Sequence, residues 1–198
     1  MLNFNNKIMK KLLFIIACFT IVVFNSCEKQ SKNADGNLKT DDTYQKEFML
    51  EAIKLSKECL ETGQGGPFGA VIVKDGKIVG RGSNQVTINN DPTAHAEVVA
   101  IRDACKNLNT FQLDGCEIYT SCEPCVMSLC AIYWAHLSKI YYAGGEKDAS
   151  DAGFDNSFIN NEIALPKAER KIPAMQCDQE EAVKVLEAWK KLSTKVEY

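Results

Sequence analysis

The chain has 198 residues, of which 45% are hydrophobic and 25% charged, and this is the balance of an ordinary globular domain with short additions. Its 23 lysines and arginines against 26 aspartates and glutamates give a net charge of -3, without a basic cluster in the part predicted to fold. Because phosphate binding needs concentrated positive charge, this composition argues against nucleic acid as a partner.

The N-terminus has the pattern of an export signal. Basic residues precede an apolar run over residues 12–24, which is too short to span a bilayer as a helix. The run ends in FNSC, where the small Ser26 stands before Cys27, and this resembles a bacterial lipoprotein signal in which the cysteine is lipidated. We therefore expect a signal peptide over residues 1–26 and lipidation of Cys27. The membrane contact would be through the lipid alone, on the periplasmic or outer-membrane side. An ordinary signal peptide and an uncleaved anchor are the alternatives.

Residues 27–42 are polar and lack periodicity, so they are expected to form a flexible tether. Residues 43–198 form the predicted domain, in which apolar spacing indicates helices and strands. In chain order we predict helix 43–62, strand 70–74, strand 77–82, a polar loop 83–91, helix 95–107, strand 116–120, helix 125–135, strand 139–143, a turn-rich segment 144–153, helix 154–163 and helix 179–192.

This order of elements predicts the fold class. The pair Asp75-Gly76 between two short strands is typical of a hairpin turn, so the first two strands should be antiparallel. The later strands alternate with helices, and this order of elements implies a mixed sheet. The sequence therefore predicts an α/β domain, a three-layer α/β/α sandwich around a mixed sheet.

The strongest chemical signal is a histidine and a glutamate in the pattern H-x-E, followed by Pro-Cys. His95 and Glu97 stand at the first turn of one predicted helix, and Pro124-Cys125 begin the next. This pattern is the signature of zinc deaminases, in which histidine and cysteine bind the metal and the glutamate moves a proton. Zinc makes water acidic enough to act as hydroxide near neutral pH. Helix N-termini favour thiolate.

Further motifs extend the match over most of the domain. GGPFGAVIVKDG, NDPTAHAEVVAIR, YTSCEPC, AIYWA, AGFDNSFI and the terminal VEY resemble bacterial guanine deaminases of the cytidine-deaminase fold. The resemblance implies hydrolysis of guanine to xanthine and ammonia, with one Zn2+ per subunit. It also implies a homodimer whose C-terminal segment is swapped onto the partner's active site. A degenerate member that binds a purine without catalysis and a nucleoside, tRNA or other nucleobase deaminase are the alternatives.

The resemblance also implies roles for individual residues. His95 and Cys125 would bind the zinc ion, and Glu97 would be the proton shuttle. The residues implied to contact the purine are Asn84, Phe68, Ala94, Trp134, Asp155, Asn156 and Tyr198.

The third ligand position departs from the family pattern. Where the family reads P-C-x-M-C, this chain reads P-C-V-M-S, so Ser128 stands at the ligand position. A hydroxyl is less acidic than a thiol and a poor soft ligand, so we expect weaker zinc binding. Cys122 is the fallback ligand, Cys130 could serve only after a shift of helical register, and a disulfide between Cys122 and Cys125 is a further alternative.

A second departure lies in the segment FDNSF. The family commonly has F-D-D-S-F, so Asp155 is kept and Asn156 replaces an acid. The amide carries no charge and cannot relay a proton. The pair of departures predicts either altered chemistry or lost activity.

Overall fold

A four-stranded mixed sheet organises residues 43–197, the part of the chain that the computed structural model describes. The strand order is β2-β1-β3-β4; β1 is antiparallel to β2 and β3, while β4 is parallel to β3. The strands are β1 (Gly69–Lys74), β2 (Lys77–Ser83), β3 (Glu117–Cys122) and β4 (Lys139–Gly144). The helices are α1 (Lys46–Thr62), α2 (Val86–Asn89), α3 (Ala96–Leu108), α4 (Val126–Trp134), α5 (Glu146–Asp151), α6 (Ser157–Ala164) and α7 (Gln179–Lys191), with a 3-10 turn at Lys167–Glu169.

The first hairpin follows directly from the sequence. β1 reads GAVIVK and is buried at every residue except the last, as expected of an apolar strand covered on both faces. Asp75 and Gly76 both have positive φ, 49° and 70°, which is the conformation of a tight hairpin turn. Lys74 therefore pairs with Lys77, and β2 returns along the edge of the sheet.

Helices cover both faces of the sheet. On one face α1 packs through Phe48, whose ring meets the edge of the Tyr119 ring with 5.4 Å between centroids. On the other face alanines of α3 join Ala70 and Ile72 in the buried core, with Ile132 of α4 beside them. The predicted three-layer sandwich around a mixed sheet is confirmed.

Close packing of α3 on β2 fixes the depth of that helix. A Cβ atom built on Gly82 would lie 2.2 Å from the backbone oxygen of Ala96, and one built on Gly80 would lie 2.5 Å from that of Ala100. Real atoms do not approach so closely, so only glycine fits at these two positions of β2. The start of α3, which carries His95 and Glu97, is thereby held against the sheet.

Two segments predicted as loop or turn contain helices. α2 lies inside the predicted polar loop, and α5 lies inside the turn-rich segment. Both are short, four and six residues, so neither repeats an apolar pattern that periodicity could detect. α5 is held at its start by the Asp148 carboxylate, which accepts a hydrogen bond of 2.8 Å from the Gly145 N–H. The loop prediction was wrong at these places.

The C-terminal helix α7 differs from α1, α3 and α4, the other described helices of nine or more residues, each of which buries side chains. Among the residues that the structure describes, none of α7 is buried. Its apolar residues are exposed, with Val185 at 69%, Leu186 at 61% and Trp189 at 43%. Within residues 43–197, this face is therefore left largely exposed.

The predicted export signal, the tether and Cys27 lie outside the described residues. The compact unit that carries the sheet begins at Gln45. Within residues 43–197, no helix combines the length and the hydropathy needed to cross a bilayer.

Candidate functional site

A cavity of about 360 Å³ opens at the edge of the sheet where β2 and β3 end and α3 and α4 begin. Segments far apart in sequence form its wall, and α5 and α6 close one side. The lining residues are Gly66, Phe68, Asn84, Val86, Thr87, His95, Glu97, Cys122, Glu123, Cys125, Ala149, Phe154, Asp155, Asn156, Phe158 and Ile159.

Two metal-type donors meet at one end of this cavity. His95 and Cys125 each occupy the position just before a helix, α3 and α4, with extended backbone there. Because both helices start at the cavity, the two side chains converge, and His95 Nδ1 lies 3.5 Å from Cys125 Sγ. The hydrogen bond with Cys125 raises the pKa of His95 against the opposing effect of burial. Burial tends to raise the pKa of Cys125, but the contacts with His95 and Ser128 together lower it.

Glu97 lies in the first turn of α3, and its carboxylate is held from two sides. The carboxylate is buried, with 6% of the residue exposed. Its Oε2 accepts a hydrogen bond of 3.0 Å from the Ser128 hydroxyl, and its Oε1 accepts one of 3.3 Å from the Thr120 hydroxyl. The orientation of this carboxylate is therefore set by β3 and α4 as well as by its own helix.

Ser128 lies where the zinc-deaminase pattern requires a third donor. It is fully buried one turn into α4, and its Oγ lies 3.7 Å from Cys125 Sγ. Protein zinc sites use cysteine, histidine and carboxylate donors, and among the described residues no group of three such side chains could hold a metal. The side chains of His95 and Cys125 are thus of the right type and close enough together to bind zinc. Ser128 lies at the position of the third ligand, but its hydroxyl is not a usual zinc donor.

The other cysteines do not replace the missing thiol in this arrangement. Cys122 lines the cavity, but its Sγ points to the Gly145 carbonyl at 3.8 Å, and burial raises its pKa. Cys130 is exposed and lies outside the cavity wall, so α4 shows no shift of register towards it. Cys122 and Cys125 are both free thiols.

At the other end of the cavity Asn84 presents a fixed amide. Its Oδ1 accepts hydrogen bonds of 3.2 Å from the N–H groups of Gly66 and of Val86. The oxygen side is therefore occupied by backbone, and the NH2 group is the side left to donate to a ligand. Gly65 packs on the same residue so closely that a Cβ there would lie 2.3 Å from the Asn84 carbonyl oxygen.

An aromatic pair forms one wall of the cavity. The rings of Phe68 and Phe154 meet edge to face with centroids 4.9 Å apart. Phe154 was not singled out from the sequence as a site residue, although it stands in the AGFDNSFI motif directly before Asp155. The available signal was its place in that motif, since its spacing matches no helical or strand pattern. A flat apolar ring system can pack against such a pair.

Asp155 and Asn156 reach the cavity from the start of α6. The Asp155 carboxylate accepts a hydrogen bond of 2.9 Å from the Ser157 N–H, and this bond lowers the pKa of Asp155. Asp155 thereby stabilises the first turn of α6. Asn156 directly precedes that helix, with its side chain at the cavity wall.

Two of the described residues implied to contact the purine do not line the cavity. Trp134 ends α4, is 66% exposed and lies outside the residues that line the cavity. Ala94 is buried, and its N–H and carbonyl already bond to Asp91 and Gln85 within the preceding loop. Tyr198 lies outside the described residues. Within one chain Trp134 therefore lies on the outer surface, and its implied contact with the purine stays a prediction.

The comparison with protein families bears directly on this arrangement. Residues 42–144, which carry His95, Glu97 and Cys125, match the cytidine and deoxycytidylate deaminase zinc-binding region. The chain belongs to the cytidine and deoxycytidylate deaminase family. Zinc is the metal that this region binds in the family, and the predicted cytidine-deaminase-like fold is confirmed.

Individual proteins of known identity show which members of the family this chain is similar to. The chain is 54% identical to the guanine deaminase of Bacillus subtilis over 151 residues, which is 76% of this chain and 97% of that protein. The crystal structure of guanine deaminase from Bacillus subtilis superposes with a TM-score of 0.76 at 52% identity, covering 78% of this chain and 99% of the other. The tRNA-specific adenosine deaminase of Aquifex aeolicus is 42% identical over 103 residues, which is 52% of this chain and 68% of the relative.

Proposed function

We propose that this protein is a zinc-dependent aminohydrolase that converts guanine and water to xanthine and ammonia. The observation that carries the proposal is the buried Glu97 carboxylate beside the His95 and Cys125 donor pair, at the floor of a cavity large enough for a purine. The likeness to the Bacillus subtilis guanine deaminase, over nearly its whole length, supports the choice of guanine.

The chemistry divides between the metal and Glu97. His95 and Cys125 would hold the zinc ion, which would supply Lewis-acid activation of the attacking water near neutral pH. Glu97 takes the proton that this water gives up and delivers it to the leaving amino nitrogen. In the net reaction a carbon–oxygen bond forms, the carbon–nitrogen bond breaks, and the carboxylate returns to its starting state. The hydrogen bonds from Thr120 and Ser128 aim it at that task.

The other residues that line the cavity position the purine ring. The Asn84 amide offers its NH2 group, which suits a carbonyl oxygen or ring nitrogen of the purine. The Phe68 and Phe154 rings flank the ring system, and their packing excludes water from one side. Asn156 brings an amide that can both donate and accept, so it recognises the base without adding charge.

A second candidate function is purine binding without catalysis. The observation in its favour is Ser128 at the third ligand position, where zinc lacks its second thiolate. Asn156 in place of an acid favours the same alternative. A nucleoside or another base would need a different fit at Asn84 and Phe154, and no contact in the cavity specifically favours one.

The deciding experiment is ammonia release from purified protein supplied with zinc. We expect release from guanine and little from guanosine, adenine or cytosine, with Glu97→Gln as the inactive control. Ammonia from one of the other compounds and none from guanine would overturn the substrate. Binding of guanine, seen by calorimetry, without any ammonia would establish the non-catalytic candidate instead.

We further propose that two chains form a homodimer in which the C-terminal segment covers the partner's active site. The support is the uncovered apolar face of α7 and the exposed Trp134, both of which a second chain could bury. Exposed apolar faces of this kind are typical of protein interfaces. The neighbouring surface of α4 adds Tyr133, which is 73% exposed.

Sedimentation velocity tests the dimer. The parent should sediment as a dimer at micromolar concentration, and the double variant Leu186→Ser, Trp189→Ser should sediment as a monomer. Lys184→Ser, on the same helix but paired with Glu181, is the matched control and should remain dimeric. A parent that stays monomeric at all concentrations would contradict the proposal.

The N-terminal signal supports a further proposal about location. Lipidation of Cys27 would anchor the protein by its lipid on the periplasmic or outer-membrane side, with residues 27–42 as tether. Mass spectrometry of the N-terminal peptide from the native host should show a diacylglyceryl-modified Cys27. A Cys27→Ser variant should accumulate unprocessed, and a peptide that retains residues 1–26 in the parent would contradict the proposal.

A further inference from the structure

The polar groups at the metal end of the cavity satisfy one another without a metal. Contacts run from His95 to Cys125 at 3.5 Å, from Cys125 to Ser128 at 3.7 Å, and from Ser128 to Glu97 at 3.0 Å. Thr120 completes the set at the second carboxylate oxygen. Among the described residues, no buried side-chain nitrogen or oxygen lacks a hydrogen-bond partner.

Ser128 is the residue that makes this arrangement possible. It is fully buried, and its one hydroxyl proton goes to Glu97. A cysteine at this position would offer a weak thiol donor, or as thiolate a second negative charge beside the carboxylate. The serine therefore favours the metal-free site in a way that a cysteine could not.

The same residue disfavours the metal-bound site. A zinc ion at His95 and Cys125 receives one thiolate, and the third donor is a neutral hydroxyl. The Ser128 hydroxyl keeps its lone pairs while its proton goes to Glu97, but a neutral hydroxyl oxygen is a weak donor to zinc. This weak donation, together with the absence of a second thiolate, disfavours the metal-bound site.

We propose that Ser128 gives this chain a zinc site that is closed by hydrogen bonds when empty and that exchanges its metal readily. The inference rests on the proposed function only in taking zinc as the metal. It makes Ser128 a positioning residue for Glu97 and a weak third ligand at once. The protein would then gain and lose zinc with changes in free zinc concentration, whereas a site with two thiolates would remain loaded.

Competition with a chromophoric zinc chelator measures the first half of the proposal. We expect Ser128→Cys to bind zinc at least about 100-fold more tightly than the parent, because it adds a thiolate donor. Ser128→Ala should bind no more tightly than the parent. Ser56→Cys, which adds a thiol on α1 outside the cavity wall, should match the parent. Parent and Ser128→Cys affinities within threefold of each other would overturn the proposal.

Thermal unfolding in the presence of chelator measures the second half. Metal-free Ser128→Ala and Ser128→Cys should both melt below the metal-free parent, by about 2–4 °C, because each loses the hydrogen bond to Glu97. Added zinc should raise the melting temperature of Ser128→Cys far more than that of the other two. Equal melting temperatures for the three metal-free proteins would overturn the role given to Ser128.

The proposal can still be tested if Ser128→Cys does not fold, and its failure can be told apart from failure of the proposed function. If metal-free Ser128→Cys does not fold, the parent decides alone: loss of zinc on dialysis against a chelator supports the proposal, and full retention overturns it. Neither measurement reads deamination. An inactive parent with exchangeable zinc would therefore overturn the proposed function and support this inference.

Discussion

The sheet with its cavity and the C-terminal helix α7 represent two ways of using apolar residues. In the sheet, Ile72, Ile118 and Tyr119 are wholly buried by the chain's own helices. In α7, Leu186 and Trp189 form an equally regular face that nothing in the described part of the chain covers. Both regions have clear secondary structure, so regular structure alone does not indicate that a region is complete.

The two regions obtain their stability from different interactions. The buried region gains its free energy of folding from contacts within one chain. α7 is held by its own backbone hydrogen bonds and surface ion pairs, which stabilise a helix of this length only marginally in water. Substitutions in the first region should therefore act on folding or chemistry, and substitutions in the second should act on association.

The largest difference between the regions is expected in chemistry. Glu97→Gln keeps the shape of the side chain but removes the proton acceptor, so kcat for deamination should fall by about 10²- to 10⁴-fold. Glu187→Gln in α7, where Glu187 pairs with Lys190, is the matched control and should keep the parental rate. Steady-state ammonia release measures both. A Glu97→Gln enzyme within about tenfold of the parent would remove Glu97 from the mechanism.

The next largest difference is expected in stability. Ile118→Ala opens a cavity at a fully buried position, and the free energy of unfolding should fall by about 2–5 kcal/mol. Leu186→Ala should change it by less than about 0.5 kcal/mol in protein diluted to the monomer. Urea denaturation at low concentration compares the two. An equal loss in both variants would mean that α7 packs against its own chain, and the comparison would fail.

A smaller effect is expected where α3 approaches β2. Gly82→Ala places a methyl group against the Ala96 carbonyl, so the helix must move and the free energy of unfolding should fall by about 1–3 kcal/mol. Gly145→Ala is the control, because its Cβ would meet only the ends of flexible side chains at 3.7 Å and beyond. Thermal unfolding reads both variants. If Gly82→Ala is as stable as Gly145→Ala, the spacing between α3 and β2 is softer than described.

The smallest effect is expected at the exposed ion pair between α1 and β2. The hydrogen bond from Arg81, at 3.1 Å, lowers the pKa of Glu51. Glu51→Gln should cost up to about 1 kcal/mol at neutral pH. The lowered pKa of Glu51 stabilises the folded state fully at pH values above the pKa that Glu51 has in the unfolded chain. This stabilisation is lost as the pH falls through the pKa of Glu51 in the folded protein. The difference in free energy of unfolding between Glu51→Gln and the parent should therefore vanish over that range.

Denaturation of Glu51→Gln at several pH values tests this sign. Glu58→Gln, whose carboxylate meets Lys54 at 3.6 Å on the same helix, serves as control and should show a smaller change. A difference that grows towards acid pH would show that the pair contributes through something other than the charge on Glu51.

Most of the fold could be predicted because its signals are local. The Asp75-Gly76 turn and the apolar run of β1 indicated the hairpin. The helices α2 and α5 were missed, since four or six residues hold no repeat and their ends are set by contacts such as Gly145 with Asp148. The local sequence also cannot show whether another surface packs against the apolar face of a helix, and α7 is an example.

The site was predictable in its residue types and less so in its contacts. The H-x-E and Pro-Cys patterns placed His95, Glu97 and Cys125, because helix N-termini carry the donors and the topology brings them together. The bond from Ser128 to Glu97 joins residues 31 positions apart, so it could not be seen before the fold was known. Trp134, which the resemblance implied at the cavity, is 66% exposed in the single chain and lies outside the cavity lining.

The two tryptophans allow the exposed surfaces of α4 and α7 to be followed by intrinsic fluorescence. The sequence contains only two, Trp134 and Trp189, and they are 66% and 43% exposed in the single chain. Indole emission moves to shorter wavelength when the ring leaves water, so intrinsic fluorescence of this protein reports on its outer surfaces and hardly on its core. A dilution series of unlabelled protein, read at a single excitation wavelength, would therefore record association while the sheet remains spectroscopically silent.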